Sequence, residues 1–137
     1  MLLQNKIAVI TGCNRGIGKA ILETFAENGA NIFACIRKET DEFIEMKEKL
    51  QQKTDITIIP VIIDFSEGKE VRAGIKSIIS LKKPIDILVN NAGVGAGSIF
   101  HMTSLQEIKQ VFEINFFSHI LFTQGISRYM SRSKNGS

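Results

Sequence analysis

The sequence predicts an α/β fold: a doubly wound parallel sheet with helices on both faces. Three observations carry that expectation. Short apolar runs alternate with longer segments of helical periodicity along most of the chain. The first run, Ile7-Ala8-Val9-Ile10, ends in a glycine-rich turn, Thr11-Gly12-Cys13-Asn14-Arg15-Gly16-Ile17-Gly18, which opens an amphipathic segment. The fourth run, residues 85–89, ends in Asn90-Asn91-Ala92-Gly93. Right-handed crossovers set a local strand order of 3-2-1-4, which brings both strand ends to the switch point where open α/β sheets bind ligands.

The elements follow in order. Residues 6–11 form the first strand and 16–28 the first helix, stopped by Gly29. Residues 31–36 form the second strand. Residues 41–52 place Phe43, Ile44, Met46, Lys47 and Leu50 at helical spacing. Residues 57–63 are β-branched and nearly all apolar, which predicts a strand buried on both faces. Residues 67–80 gather Val71, Ile75, Ile78 and Ile79 on one side of a third helix, and 85–89 form the fourth strand. A glycine-rich run over 93–98 precedes Ser104-Leu105-Gln106-Glu107, a capping-box pattern. The helix it opens runs to about Met130, with a kink expected near Asn115. Phe112, Ile114, Phe116, Phe117, Ile120, Leu121 and Phe122 wrap most of its circumference, which predicts burial on more than one side.

The glycine turn points to a dinucleotide. Glycines let the backbone turn tightly and approach a ligand without side chains in the way. The helix behind them offers unpaired N–H groups and a positive dipole end to a pyrophosphate. The spacing of Gly12, Gly16 and Gly18 is G-x-x-x-G-x-G, not the G-x-G-x-x-G of the usual fingerprint. Adjacent asparagines at a strand end need partners for their amides. One is expected to brace the sheet edge and one to face a ligand.

Together the two motifs resemble the short-chain dehydrogenase/reductase family, which pairs T-G-x-x-x-G-I-G with N-N-A-G at the end of the fourth strand. Within it, the chain looks most like reductases of the 3-oxoacyl-carrier-protein type. The resemblance implies a Rossmann-type sheet and a carbonyl/alcohol oxidoreductase using a nicotinamide cofactor on a small-molecule substrate. It implies cofactor contacts from Gly12, Asn14, Arg15, Gly16, Ile17 and Gly18 in the first turn. It adds Asp64 and Phe65 after the third strand, with Asp64 at the adenine. It further adds Asn91, Ala92 and Gly93 after the fourth strand, and Ile114 in the long helix. Asn115 matches the asparagine of the family's Asn-Ser-Tyr-Lys tetrad, which orders a proton-relay water. The helix over 105–130 commonly forms a dimer interface in the family, so a homo-oligomer is expected.

The cofactor choice is read at the end of the second strand. An acidic residue roughly 20 positions past the glycines holds the ribose 2′-OH of NAD(H). Here Ile36 occupies that place and Arg37 follows it. A guanidinium suits a 2′-phosphate, and Arg15 can join it. NADP(H) is therefore favoured over NAD(H).

The family mechanism also needs a serine and a Tyr-x-x-x-Lys segment. The single tyrosine, Tyr129, has Ser133 four positions on and Lys134 five on, so it reads as a helix-end anchor. The turn Lys134-Asn135-Gly136-Ser137 is of the kind that leads into a fifth strand. The 137 residues thus read as the N-terminal part of one nucleotide-binding domain, inactive alone. The alternative is a non-catalytic dinucleotide-binding or interaction module.

Other classes are disfavoured. With 17 basic against 14 acidic residues, the net charge of +3 is spread along the chain and suggests no nucleic-acid arm. Cys13 and Cys35 form no C-x-x-C pair, His101 and His119 no metal spacing, and a reduced cytoplasmic protein is the expectation. His119 reads as a packing or interface residue. No signal peptide or membrane span is apparent.

Overall fold

The computed structural model describes residues 1–134 and 136–137; Asn135, in the expected terminal turn, lies outside the described residues. The strands are β1 (Ile7–Thr11), β2 (Asn31–Ile36), β3 (Ile58–Ile62) and β4 (Ile87–Val89). The helices are α1 (Gly16–Glu27), α2 (Asp41–Lys53), α3 (Gly68–Ser80), α4 (Leu105–Phe112) and α5 (Ser118–Met130). The sheet order is β3-β2-β1-β4 and every pairing is parallel. This is a Rossmann-type α/β sheet.

The alternation of side chains along each strand divides the interior in two. Ala8 and Ile10 of β1 meet Leu22 and Ala26 of α1 and Phe43, Met46 and Leu50 of α2 on one face. Val9 and Phe33 meet Val71 and Ile78 of α3 and Phe122 and Ile126 of α5 on the other. Each fully buried Phe or Ile adds on the order of 1.5–3 kcal/mol of transfer free energy. Local signals set the element ends. Gly29, with φ of +89°, turns the chain out of α1, and the Thr40 hydroxyl accepts from Phe43 N–H at the start of α2. Ser104 and Glu107 form the expected capping box of α4.

Two expectations are corrected. β3 is not buried on both faces, because it is an edge strand: Ile62 is exposed and Ile59 and Pro60 are half-buried. An edge also tolerates Pro60, which has no N–H for a further strand. The long helix is not continuous. Residues Glu113–Phe117 form a π-helical turn, in which Ser118 N–H reaches back to the Glu113 carbonyl. This turn falls where a kink near Asn115 was expected. Phe112, Phe116, Phe117 and Ile120 stay exposed around it, while Phe122 and Ile126 are buried.

On its outer side β4 pairs with Ser137, whose N–H donates to the Asp86 carbonyl (2.8 Å) and whose carbonyl accepts from Leu88 N–H (2.9 Å). Asp86 also pairs with Lys6 (3.2 Å) and accepts from Ile7 N–H (2.9 Å), which ties the lower ends of β1 and β4 together.

Candidate cofactor site

The C-terminal ends of β1 and β4 lie side by side, joined by one hydroxyl. Thr11, fully buried, accepts from both Asn91 N–H and Ala92 N–H at 2.9 Å each. The Asn91 amide donates to the Thr11 and Gly12 carbonyls at 3.1 and 3.2 Å. Asn91 is therefore the brace of the pair and keeps only its side-chain oxygen for a ligand. Asn90 also serves the protein, bonding Thr123 (2.9 Å) and His119 (3.3 Å).

The glycine turn packs against this brace. Gly12 adopts φ of +73°, and a Cβ there would lie 2.8 Å from Ala92 Cα. A Cβ on Gly18 would land on the Gly12 carbonyl and the Asn91 amide. Gly16, with φ of +56°, has nothing within 4 Å of its Cβ position, so the turn is open on that side. The start of α1 carries no side-chain cap and no acidic residue in its first turn. Its first N–H groups and dipole are thus left to an external anion. Ile17 exposes three quarters of its surface beside them. Asn14 donates to the Lys38 carbonyl (2.9 Å), while its oxygen is buried without a partner. Such an orphaned acceptor is rare unless a ligand or water serves it. The residues present therefore fit a nucleotide: an open glycine turn, an uncapped helix end and an unused buried acceptor.

Arg15 and Arg37 flank the turn, both exposed and neither in an ion pair among the described residues. Asp64 follows β3, held by Ser66 through its hydroxyl (2.7 Å) and N–H (2.9 Å). The Ser66 hydroxyl, then its N–H, and more weakly the nearby Arg37 charge hold the Asp64 carboxyl below the usual range. It remains an anionic acceptor at the mouth of the crevice.

Three of the residues read from the family resemblance sit differently. Phe65 turns its ring into the core, against Phe122 and His119. Its carbonyl is taken by the Ser118 hydroxyl at 2.6 Å. Ile114 is buried among the residues under α5. Asn115 lies at the crevice, but its amide is spent on Val94, accepting from the N–H (2.8 Å) and donating to the carbonyl (2.7 Å). Its side chain clamps the loop after Gly93. Thr11, Ser118 and His119 were missed by sequence reasoning as site-building residues.

Tyr129 packs against the core at the end of α5 with Arg132 over its ring, consistent with an anchor. Among the described residues no group of three His, Cys, Asp or Glu can hold a metal, and no helix is long and apolar enough to cross a membrane.

Burial disfavours the thiolate of both cysteines. Burial pushes the Cys13 thiol up to about 12, opposed only in part by the Cys35 N–H, and burial likewise raises Cys35. They belong to cores on opposite faces of the sheet, so they are not placed to pair. Titration of the native protein with an aromatic disulfide at neutral pH is expected to find neither thiol reactive, and both reactive after denaturation. A fast native thiol would contradict this.

The model of the family described as short chain dehydrogenase matches residues 6–137. The chain belongs to the short-chain dehydrogenase family. Among curated relatives, this short-chain dehydrogenase chain is 30% identical over 131 residues to an NADPH-dependent 3-dehydrocapnine reductase of Ornithobacterium rhinotracheale, covering 94% of the chain and 44% of the relative. It is 30% identical over 139 residues to a 3-oxoacyl-[acyl-carrier-protein] reductase of Thermotoga maritima, covering 100% and 55%. A solved L-sorbose reductase of Gluconobacter frateurii, complexed with NADPH and L-sorbose, superposes with a TM-score of 0.87 at 30% identity, covering 99% of the chain and 52% of that structure. The chain spans about half the length of the curated relatives it matches.

Proposed function

We propose that this short-chain dehydrogenase chain supplies the nucleotide half of an NADP(H)-dependent oxidoreductase acting on a ketone or secondary alcohol. The observation that carries the reading is the uncapped start of α1 behind an open glycine turn, flanked by the unpaired Arg15 and Arg37. The N–H groups of the first turn of α1 hold the pyrophosphate. Arg15 and Arg37 take the 2′-phosphate in paired hydrogen bonds. Asp64 accepts from the adenine edge, and the free Asn14 oxygen takes a ribose hydroxyl. Ala92 and Gly93 floor the nicotinamide end, with Asn115 fixing the loop beyond. The bound nicotinamide supplies hydride exchange with the carbonyl carbon.

NADPH- or NADP-bound relatives support this cofactor, since the solved L-sorbose reductase and a Burkholderia cenocepacia short chain dehydrogenase carry NADPH and NADP respectively. The proton donor for the carbonyl is assigned to no residue here, since Tyr129 packs as an anchor; we therefore expect the 137-residue chain alone to be inactive. The exposed Phe112, Phe116 and Phe117 give the reading a second part, a homo-oligomer joined through α4 and α5.

The test is cofactor preference. Wild-type protein is expected to bind NADPH more tightly than NADH. Arg37→Asp is expected to weaken NADPH roughly tenfold to a hundredfold, the loss of one charge-assisted contact. It should also bring NADH to parity or better. Titration by nicotinamide fluorescence reads both. Equal wild-type affinities would sink the assignment of Arg37.

A further inference from the structure

We propose that His119 is a positioning residue, which aims the Gly93 N–H into the nicotinamide end of the crevice by holding the Ala92 carbonyl. The assignment rests on the nucleotide site proposed above. His119 stands in the first turn of α5. One face of its ring stacks on Phe65, with centroids 5.1 Å apart and planes 24° from parallel. Phe65 is fixed in turn by an edge contact with Phe122 and by the Ser118 hydroxyl on its carbonyl. The plane of the imidazole is therefore set by the core, and its two nitrogens meet the Ala92 carbonyl and the Asn90 side chain.

A backbone carbonyl only accepts, so Nε2 carries a hydrogen. The other nitrogen depends on Asn90, whose amide ends can exchange places by a half-turn. With the oxygen toward His119, both ring nitrogens must donate and the ring is a cation. With the NH2 toward His119, the ring is neutral and the Thr123 hydroxyl donates to the amide oxygen. The open groove beside the ring is lined by uncharged residues such as Asn115, Phe116, Ile120 and Gln124. The neutral arrangement satisfies every group in one direction, Thr123 to Asn90 to His119 to Ala92.

The turn from Asn91 to Val94 shows what this hydrogen bond achieves. Thr11 holds Asn91 N–H and Ala92 N–H, and Asn115 holds both backbone groups of Val94. Gly93 alone in this turn has neither its N–H nor its carbonyl engaged among the described residues. The Ala92 carbonyl and the Gly93 N–H belong to one planar trans peptide. Holding the carbonyl toward α5 turns the N–H the opposite way, away from α5. A donor fixed in this manner is ready for an oxygen of the nicotinamide riboside without reorganisation.

The experiment uses the full natural chain and three readouts. Long-range 15N–1H spectra of the nucleotide-free protein should show His119 in the Nε2–H form; an Nδ1–H form overturns the link to Ala92. His119→Phe keeps a ring on Phe65 but has no donor. It should weaken NADPH about fivefold to tenfold. His119→Gln places an N–H as many bonds from Cα as the ring does and should recover most of that loss. Wild-type affinity in the Phe variant, or equal loss in both variants, overturns the proposal. Failure of the wild type to bind NADPH or NADH would instead sink the nucleotide reading, while the spectra would still decide the link.

Discussion

Replacing Gly18 by alanine is expected to abolish nucleotide binding and to destabilise the fold by about 1–3 kcal/mol. Gly18 lies in the first turn of α1 with ordinary helical geometry, where alanine would by propensity gain about 1 kcal/mol. The added Cβ, however, falls on the Gly12 carbonyl oxygen and the Asn91 amide nitrogen. The first is backbone, and the second is a side-chain end held by its bonds to the Thr11 and Gly12 carbonyls. The turn must open, which moves the N–H groups of α1 away from the phosphate position. Gly16→Ala is the control: it carries the cost of a positive φ but meets no atom within 4 Å. Calorimetric titration with NADPH and thermal unfolding separate the two. Wild-type affinity in Gly18→Ala would show that the turn accommodates the methyl group and that the contact with Asn91 does not set the site.

Thr11→Val is expected to lower stability by roughly 1–3 kcal/mol, the cost of leaving two half-buried donors without their acceptor. Valine matches the shape of threonine but cannot accept from Asn91 N–H and Ala92 N–H, both held at 2.9 Å by the buried hydroxyl. Thr11→Ser keeps the acceptor and loses one methyl group, at about 1 kcal/mol. Denaturant midpoints with an unchanged slope would measure both. A valine variant as stable as the serine variant would mean that water replaces the hydroxyl.

The sequence showed most of the frame because its signals are local. Alternating apolar runs marked four strands, Gly29 ended α1, and Ser104 with Glu107 opened α4. The glycine turn was legible for the same reason. Ile62 was misjudged because residue type does not distinguish an edge strand from a central one. The roles of Asn90 and Asn91 depend on partners far along the chain. Asn91 meets Thr11 across 80 positions, and Asn90 meets Thr123 across 33. The site roles of Thr11 and His119 were missed on the same grounds: a hydroxyl at a strand end and an imidazole on an apolar helix gain their purpose only when the neighbouring strand end arrives.

The π turn at Glu113–Phe117 bears on how the gene tolerates length changes. A π turn is an α-helix with one residue added, and the added residue rotates all that follows relative to all that precedes. Here the offset lets Asn115 clamp Val94 while Ser118, Phe122 and Ile126 face the sheet. Deleting one codon within 113–117 would restore an unbroken α-helix, yet either the clamp or the buried face of α5 would rotate out of place. Most single deletions in surface helices shift a few exposed side chains. This segment should instead be unusually intolerant of deletion, although much of it is exposed to solvent.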